Sequence, residues 1–453
     1  MIRISSLVIL ALAFGAGVCP AQDTVWTRSL GITSTTQAAS VQCQGTDVYV
    51  GGSVVDGADV KAFTARYSGA GVNQWIRTVA LDSNVYGGIV AVGPDQLPYL
   101  GMLMGGRTAV LARLNASGDT LWTTKKADVL PSTMVADLSN NCYLLATFGT
   151  GIPPKDSLWL GRYNTSGSQT LSKTLSLGTI HTSGDMCRTA AGDLIAAARV
   201  VDSTSSHATL VKFAADGDTL WTRQYSESLA TSFGAIAPGD SNTCYATAVG
   251  GAVSRLVKFD ADGDTLWTRP LSLVGLTPSL AADTNGNCFL AYSGADKEFY
   301  VDIYDRAGQL LGTRHAGTQG IDTPVALSVG SDGNPVVTGT AVDTSTDYQT
   351  WVFTVKFLGA QSMITEPIPG QPQAPWRLLD TVSDGTRLDW QMYVPGERRF
   401  FVFDAAGRSV LKQVVKVTAG RYSLVLPELG AGSYVVQVVA DGTTYKHKFV
   451  VQK

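Results

Sequence analysis

Lys258-Phe259-Asp260-Ala261-Asp262-Gly263-Asp264-Thr265-Leu266-Trp267-Thr268-Arg269 is the stretch whose reading decides the fold. A basic residue is followed by an aromatic one, then a Gly-containing turn, then a Trp strand nine positions after the basic residue. Close copies are Lys212-Phe213 with Leu220-Trp221-Thr222-Arg223, and Arg113-Leu114 with Leu121-Trp122-Thr123. A looser copy pairs Arg66-Tyr67 with Gln74-Trp75-Ile76-Arg77. Two more keep the spacing without the Trp, from Arg162-Tyr163 to Leu171 and from Ile303-Tyr304 to Gly312. Counting Trp26, the Trp-type positions are 26, 75, 122, 171, 221, 267 and 312, at intervals of 45 to 50 residues. Such periods belong to propellers or solenoids.

A second motif, a turn followed by a short apolar run, interleaves with the first. It occurs at Gly45–Val50, Pro94–Leu100, Asn140–Leu144, Gly192–Ile195, Asn242–Tyr245, Asn285–Phe289 and Asp332–Val337. The ends of the array are complementary. Val25-Trp26-Thr27-Arg28 is a Trp strand with no basic-aromatic strand before it, and Thr354-Val355-Lys356-Phe357 lacks a Trp strand after it. An open array would leave unpaired strand edges at both ends, and radial closure removes them. The expectation is an all-β, seven-bladed β-propeller over 22–360, closed by the N-terminal strand.

Each repeat reads as four strands. In the sixth they are Ser279–Ala282, Cys288–Tyr292, Phe299–Tyr304 and Gln309–Thr313, separated by Asn-Gly and Ala-Gly turns. Strict alternation puts Trp221 on one face with Thr219 and Arg223. The Trp residues at 26, 75, 122, 221 and 267 are read as packing against a neighbouring blade. After residue 22 no long 3.6-residue apolar period occurs, so almost no helix is expected.

The chain opens with Met1-Ile2-Arg3-Ile4, runs apolar from Leu7 to Val18 and reaches Cys19-Pro20-Ala21. That is the pattern of a secretory signal peptide over 1–21. No other segment is apolar enough to span a bilayer. Five cysteines follow the leader: Cys43, Cys142, Cys187, Cys244 and Cys288. Cys142, Cys244 and Cys288 fall at one position of three repeats and read as small buried hydrophobes, with no CxxC to suggest a metal. The net charge of −3 offers no basic field for nucleic acid and no polybasic membrane patch.

Residues 361–376 are a Pro-rich linker (Glu366-Pro367-Ile368-Pro369 to Pro375), and 377–453 carry a different β pattern. Strands are expected at Phe400–Asp404, Tyr422–Leu426, Gly432–Val438 and Tyr445–Val451, making a small β-sandwich of Ig-like size. Phe403-Asp404-Ala405-Ala406-Gly407, Leu426-Pro427-Glu428-Leu429, Gly432-Ser433-Tyr434-Val435-Val436 and Lys448-Phe449-Val450-Val451 resemble the C-terminal sorting domain of type IX secretion cargo from Bacteroidetes-type bacteria. The motif residues on that resemblance are Gly407, Gly432, Tyr434 and Lys448. The Pro-Asn-Pro box that opens such domains is replaced by Pro375-Trp376-Arg377, which leaves a generic Ig-like domain as the other reading. The resemblance implies delivery by the secretion machinery through the periplasm to the cell surface or medium. The repeats resemble the propeller repeats of exported bacterial proteins, which implies the fold and no activity.

Candidate chemistry is sparse. Asp260, Asp262 and Asp264 alternate around a Gly as calcium ligands do, yet they occupy a hairpin turn with no bidentate Glu downstream. The turn is the preferred reading, so no cofactor is expected, with Ca²⁺ as the alternative. The same stretch resembles repeats of pyrroloquinoline-quinone propellers, but the chain has no adjacent cysteines and no Glu before Glu227. His181, His207, His315 and His447 form no ligand or triad motif, and no catalytic residue is singled out. The expected protein is an exported monomeric propeller that binds an extracellular glycan or protein, or serves a structural role. The alternative is an enzyme acting on extracellular polysaccharide or a quinoprotein-like dehydrogenase. Carboxylates converging on the central channel would favour the enzyme; a lining of Ser, Thr and backbone would favour binding or scaffolding.

Overall fold

The structure is a computed structural model. It describes residues 24–360 and 376–451, except 34, 80, 82, 150–156, 179, 203–204, 226–231, 251–252, 272–277, 319, 344–348, 382–386, 393–395, 405–407, 419, 428, 431 and 441–442. The expected leader (1–21) and most of the expected linker lie outside these residues. The chain divides into two compact units, Met1–Met363 and Ile364–Lys453.

In the first unit, β1 is Thr24–Leu30. The remaining strands come in antiparallel sets. The first is β2 Thr35–Gln44, β3 Asp47–Asp56, β4 Asp59–Tyr67 and β5 Asn73–Val79. Next come β6 Val85–Val92, β7 Pro98–Met104, β8 Thr108–Leu114 and β9 Thr120–Ala127. The third set is β10 Val129–Ala136, β11 Cys142–Phe148, β12 Ser157–Tyr163 and β13 Gln169–Leu175. The fourth is β14 Ile180–Arg188, β15 Leu194–Val201, β16 Ser206–Phe213 and β17 Thr219–Tyr225. The fifth is β18 Ser232–Pro238, β19 Cys244–Gly250, β20 Val253–Phe259 and β21 Thr265–Leu271. The sixth is β22 Ser279–Ala282, β23 Cys288–Ser293, β24 Phe299–Tyr304 and β25 Leu310–Ala316, close to the four strands expected from the sequence. The last is β26 Ile321–Val329, β27 Pro335–Val342 and β28 Thr350–Phe357, with β1 antiparallel to β28. A single parallel bridge, Thr35 to Thr350, joins this last set to the first. Among the described residues helix is confined to short 3₁₀ pieces, of which Asp240–Asn242 is one. The unit is all-β and propeller-like.

The nine-residue spacing has a structural cause. Arg66 and Trp75, Arg113 and Trp122, Lys212 and Trp221, and Lys258 and Trp267 are direct cross-strand partners. In each hairpin one extra residue follows, a β-bulge that leaves Gln74, Leu121, Leu220 or Leu266 unpaired. The bulge corrects one expectation: Thr219 faces Phe213 across the ladder, so it lies on the opposite face from Trp221. Leu121, Leu220 and Leu266, on the bulge, are each about half exposed. Lys356 and Trp26 are partners of the same kind, with Val25 as the extra residue, although 330 positions separate them.

Four of these Trp residues reach the next sheet. Trp75 Nε1 donates to the Ala116 carbonyl (2.8 Å), Trp122 to Thr165 (2.9 Å), Trp221 to Ala261 (3.0 Å) and Trp267 to Arg306 (3.2 Å). The accepting hairpins carry a Gly because two constraints meet there. Gly263 has φ +83°, and a Cβ on it would come within 2.9 Å of the Trp221 ring. Where Trp is replaced by Leu171, Tyr143 Oη supplies the missing donor to Ala215 at 2.8 Å.

The two interleaved motifs are halves of one ion pair. Lys258 Nζ lies 2.6 Å from Asp240, Lys356 Nζ 2.8 Å from Asp332, Lys212 Nζ 3.3 Å from Asp193 and Arg66 2.7 Å from Asp47; Arg113 pairs with Asp95. Buried cations persist only when paired and hydrogen-bonded. Lys212 and Lys258 also donate to the carbonyls that the Trp residues use, Ala261 and Arg306. Beneath these contacts lie apolar layers shared between adjacent sets, such as Cys187, Ile195, Phe233, Cys244 and Phe259. Cys142, Cys187, Cys244 and Cys288 are buried free thiols; burial pushes that of Cys244 up to about 12.

Among its described residues the second unit has seven strands rather than the four read from sequence. They are β29 Trp376–Thr381, β30 Arg387–Met392, β31 Gly396–Asp404, β32 Ser409–Val417, β33 Gly420–Val425, β34 Gly432–Ala440 and β35 Thr443–Val451. One sheet runs β29-β30-β33 and the other β32-β31-β34-β35. Leu388 and Leu424 of the first share a core with Phe400, Val402, Val436 and Val438 of the second. β29 starts at Trp376, a residue assigned to the linker from its Pro-rich context.

Candidate functional site

A cavity of about 640 Å³ runs between the innermost strands β2, β6, β10, β14, β18, β22 and β26, all of which line it. Six of them carry a bulge at this level. Ala39, Gly88, Ser132, Gly184-Asp185, Gly234-Ala235 and Val325 have no partner on the second strand of their set. Bulges re-aim side chains, and here they turn one stretch of each strand toward the cavity. β22 is only four residues long and has none.

The lining is mostly Ala, Val, Ile, Leu, Ser and Thr, and its charged members are Asp185 and Arg188. Its serines, Gln42 and Asp185 are engaged by neighbouring strands. Ser40 Oγ donates to the Gly88 carbonyl (2.7 Å) and accepts from Val90 N (2.8 Å). The Gln42 amide accepts from Val92 N at 3.0 Å and donates to the Val92 carbonyl at 3.3 Å, imitating a backbone pair. Ser132 bonds Ser183, Ser279 donates to Val325 (2.8 Å), and Ser328 accepts from Cys43 N (2.9 Å). The Asp185 carboxylate accepts from Met186 N (2.8 Å) and Ile236 N (3.2 Å), tying β14 to β18. Burial raises its carboxyl above the usual range, and these bonds pull the other way.

The other sequence candidates are dispersed. Asp260 Oδ1 accepts from Asp262 N and Asp264 N, both at 2.9 Å, so one carboxylate of the Asp-rich loop closes the hairpin itself. No group of three or more His, Cys, Asp or Glu side chains among the described residues is placed to hold a metal. Ser205 Oγ (2.7 Å) and Asp202 Oδ2 (3.1 Å) both meet His207 at Nε2, whereas a proton relay uses opposite ring nitrogens. Of the sorting-motif residues, Gly407 lies outside the described residues. Gly432 opens β34, Tyr434 Oη donates to the Gly430 carbonyl at 3.0 Å, and Lys448 is the register partner of Val435. No helix among the described residues is long and apolar enough to cross a membrane.

One cluster had no signal in the repeat. In the sixth set, Tyr292, Tyr300 and His315 are successive cross-strand partners on β23, β24 and β25. Their rings stack, with centroids 5.6 and 5.3 Å apart and interplanar angles of 24° and 16°. Tyr300 Oη donates to Asp296 (2.7 Å), and His315 Nδ1 lies 3.0 Å from Glu298 Oε2. Asp302 stands where the other repeats have Ala65, Ala112, Gly161, Val211, Val257 and Val355. It accepts from Thr313 Oγ1 at 2.6 Å and Tyr292 Oη at 3.3 Å, and burial raises its carboxyl. Aligning the repeats exposes Asp302 as the odd residue; the stack needs the register.

No protein-family model matches the chain. No curated protein matches it in sequence. Solved structures match in fold. The Dos1 propeller is 9% identical over 75% of this chain and 97% of that chain, with TM-score 0.45. The β-propeller domain of the Trilobed protease from Pyrococcus furiosus is 10% identical over 75% and 99%, with TM-score 0.46. Puromycin hydrolase is 14% identical over 88% of this chain but 58% of its own length, with TM-score 0.47.

Proposed function

We propose that this protein is an exported, non-enzymatic seven-bladed propeller, closed by β1 as the outer strand of the last blade. Its role is to bind an extracellular partner or to serve as a structural body at the cell surface. Its C-terminal Ig-like domain is the sorting element. The observation that carries the non-enzymatic reading is the cavity lining. Its one carboxylate and its serine hydroxyls are engaged in strand-to-strand bonds, leaving no convergent acid–base pair of the kind hydrolysis needs among the described residues. Closure is supported by Trp26 and Lys356, which both donate to the Gly69 carbonyl, at 3.0 and 3.4 Å, as Trp267 and Lys258 both donate to that of Arg306.

The delivery half rests on the resemblance of Phe403–Gly407, Gly432–Val436 and Lys448–Val451 to sorting-domain strands. Deleting Leu379 to Lys453 in the native host should leave a folded propeller held in the periplasm. Unchanged delivery to surface or medium after that deletion would reduce the tail to a plain Ig-like domain.

A further inference from the structure

We propose that the outer edge of the sixth sheet is a saccharide-binding site, in which a pyranose ring continues the Tyr292–Tyr300–His315 stack beyond β25. The proposal rests on the binding role above and names its ligand class. β25 is the last strand of its sheet, so among the described residues no strand pairs on the far side of His315. The His315 side chain is 55% exposed, while Tyr300 covers its inner ring face. The vacant fourth place in the row is therefore open to solvent, one strand spacing (about 5 Å) outward.

The groups around that place suit a neutral polyol. Glu298 holds His315 at Nδ1 and keeps further lone pairs at the ring's edge for sugar hydroxyls. Thr313, two residues back on β25, is exposed, and its hydroxyl is oriented by Asp302. A hydroxyl that donates inward presents its own lone pairs outward. The second ring nitrogen of His315 supplies a donor or an acceptor by choice of tautomer. An arginine side chain fits less well, because a guanidinium only donates and offers no acceptor to the Thr313 hydroxyl or to a donor nitrogen of His315. The device is particular to this sheet: the residues corresponding to His315 elsewhere are Ser29, Thr78, Lys125, Thr174, Gln224 and Pro270, none aromatic.

The test uses the full mature chain, titrated with cello-, laminari-, chito- and mannohexaose by calorimetry. At least one should bind. His315→Ala and Tyr300→Ala should each weaken it 10-fold or more. Leu121→Ala, on another outer strand, should leave it unchanged. Circular dichroism checks that each variant is folded. If Tyr300→Ala is poorly folded, His315→Lys, which puts a mobile chain in place of the ring, carries the test. Undiminished binding by the folded His315 variants would overturn the site and leave the binding role standing. Failure of all four sugars to bind, or binding only of an aromatic or arginine-rich peptide, would overturn the ligand class. Turnover of a bound sugar would refute the non-enzymatic reading, and the variants would still locate the site.

Discussion

The set β18–β21 and the set β26–β28 with β1 place the same side chains in the same contacts by different chain routes. In the first, Lys258 and Trp267 face each other across a hairpin five residues long. In the second, Lys356 and Trp26 meet from strands far apart in sequence. Bulge, cross-strand partner and shared carbonyl acceptor are alike in both. The hairpin therefore does not create the arrangement. Side-chain pairing across sheets does, and the hairpin only lowers the entropy of bringing the strands together.

The comparison breaks most plainly if Asp23 to Leu30 are removed. That deletion strips Trp26 and Leu30 from the core they share with Val48, Phe63 and Tyr67, and exposes the edge of β28. Each such side chain contributes about 2–3 kcal/mol by burial. At about 2–4 °C per kcal/mol, the melting temperature should fall by roughly 10 °C or more, with aggregation through the open edge. Wild-type stability in calorimetry would show that β1 is dispensable.

A finer test sets Trp26→Ala against Trp267→Ala. If the contacts are equivalent, both should destabilise by about 3–5 kcal/mol in urea unfolding. Trp26 should lie at the upper end, since it is only 7% exposed. A loss at Trp26 no larger than the ~0.5 kcal/mol of an ordinary surface substitution would mean that the two junctions are not alike.

The smallest expected effect concerns Asp185, which staples β14 to β18 where other junctions use serine hydroxyls or Gln42. Its folded carboxyl is raised by burial, so the folded chain binds the proton more tightly than the unfolded chain. Its contribution is then most favourable in acid and is lost as pH rises from about 4 through the folded value. Relative to wild type, Asp185→Asn should gain stability as pH rises from about 4 to 7. The difference is read against pH, so a constant offset from altered hydrogen bonds drops out. A flat difference would mean that the carboxyl titrates alike in both states.

The parts legible in the sequence were those written many times. Repetition made the Trp strands visible, and the unmatched strands at Trp26 and Lys356 made their pairing foreseeable. What escaped notice was written once or depended on register. The pairing of Asp240 with Lys258, or Asp332 with Lys356, joins motifs that look independent along the chain. The bulge that moves Thr219 to the other face adds one residue to a simple alternation. In the second unit, β30 and β32 were missed because Arg387–Met392 and Ser409–Val417 place charged and amide residues among their apolar ones, and β29 because it starts beside the Pro-rich stretch read as linker. The Tyr292–Tyr300–His315 row could not be read, because its members become neighbours only when three strands align.

The two donors converging on the Gly69 carbonyl have a consequence for chain connectivity. If a junction forms equally well with or without a covalent turn, the position of the termini is a matter of history rather than of mechanics. A circular permutant could be opened at the Asp260–Asp264 hairpin, with Phe357 joined to Thr24 through a short Asp-Gly turn. It would convert the present composite set into an ordinary hairpin and hand the task of meeting from afar to Lys258 and Trp267.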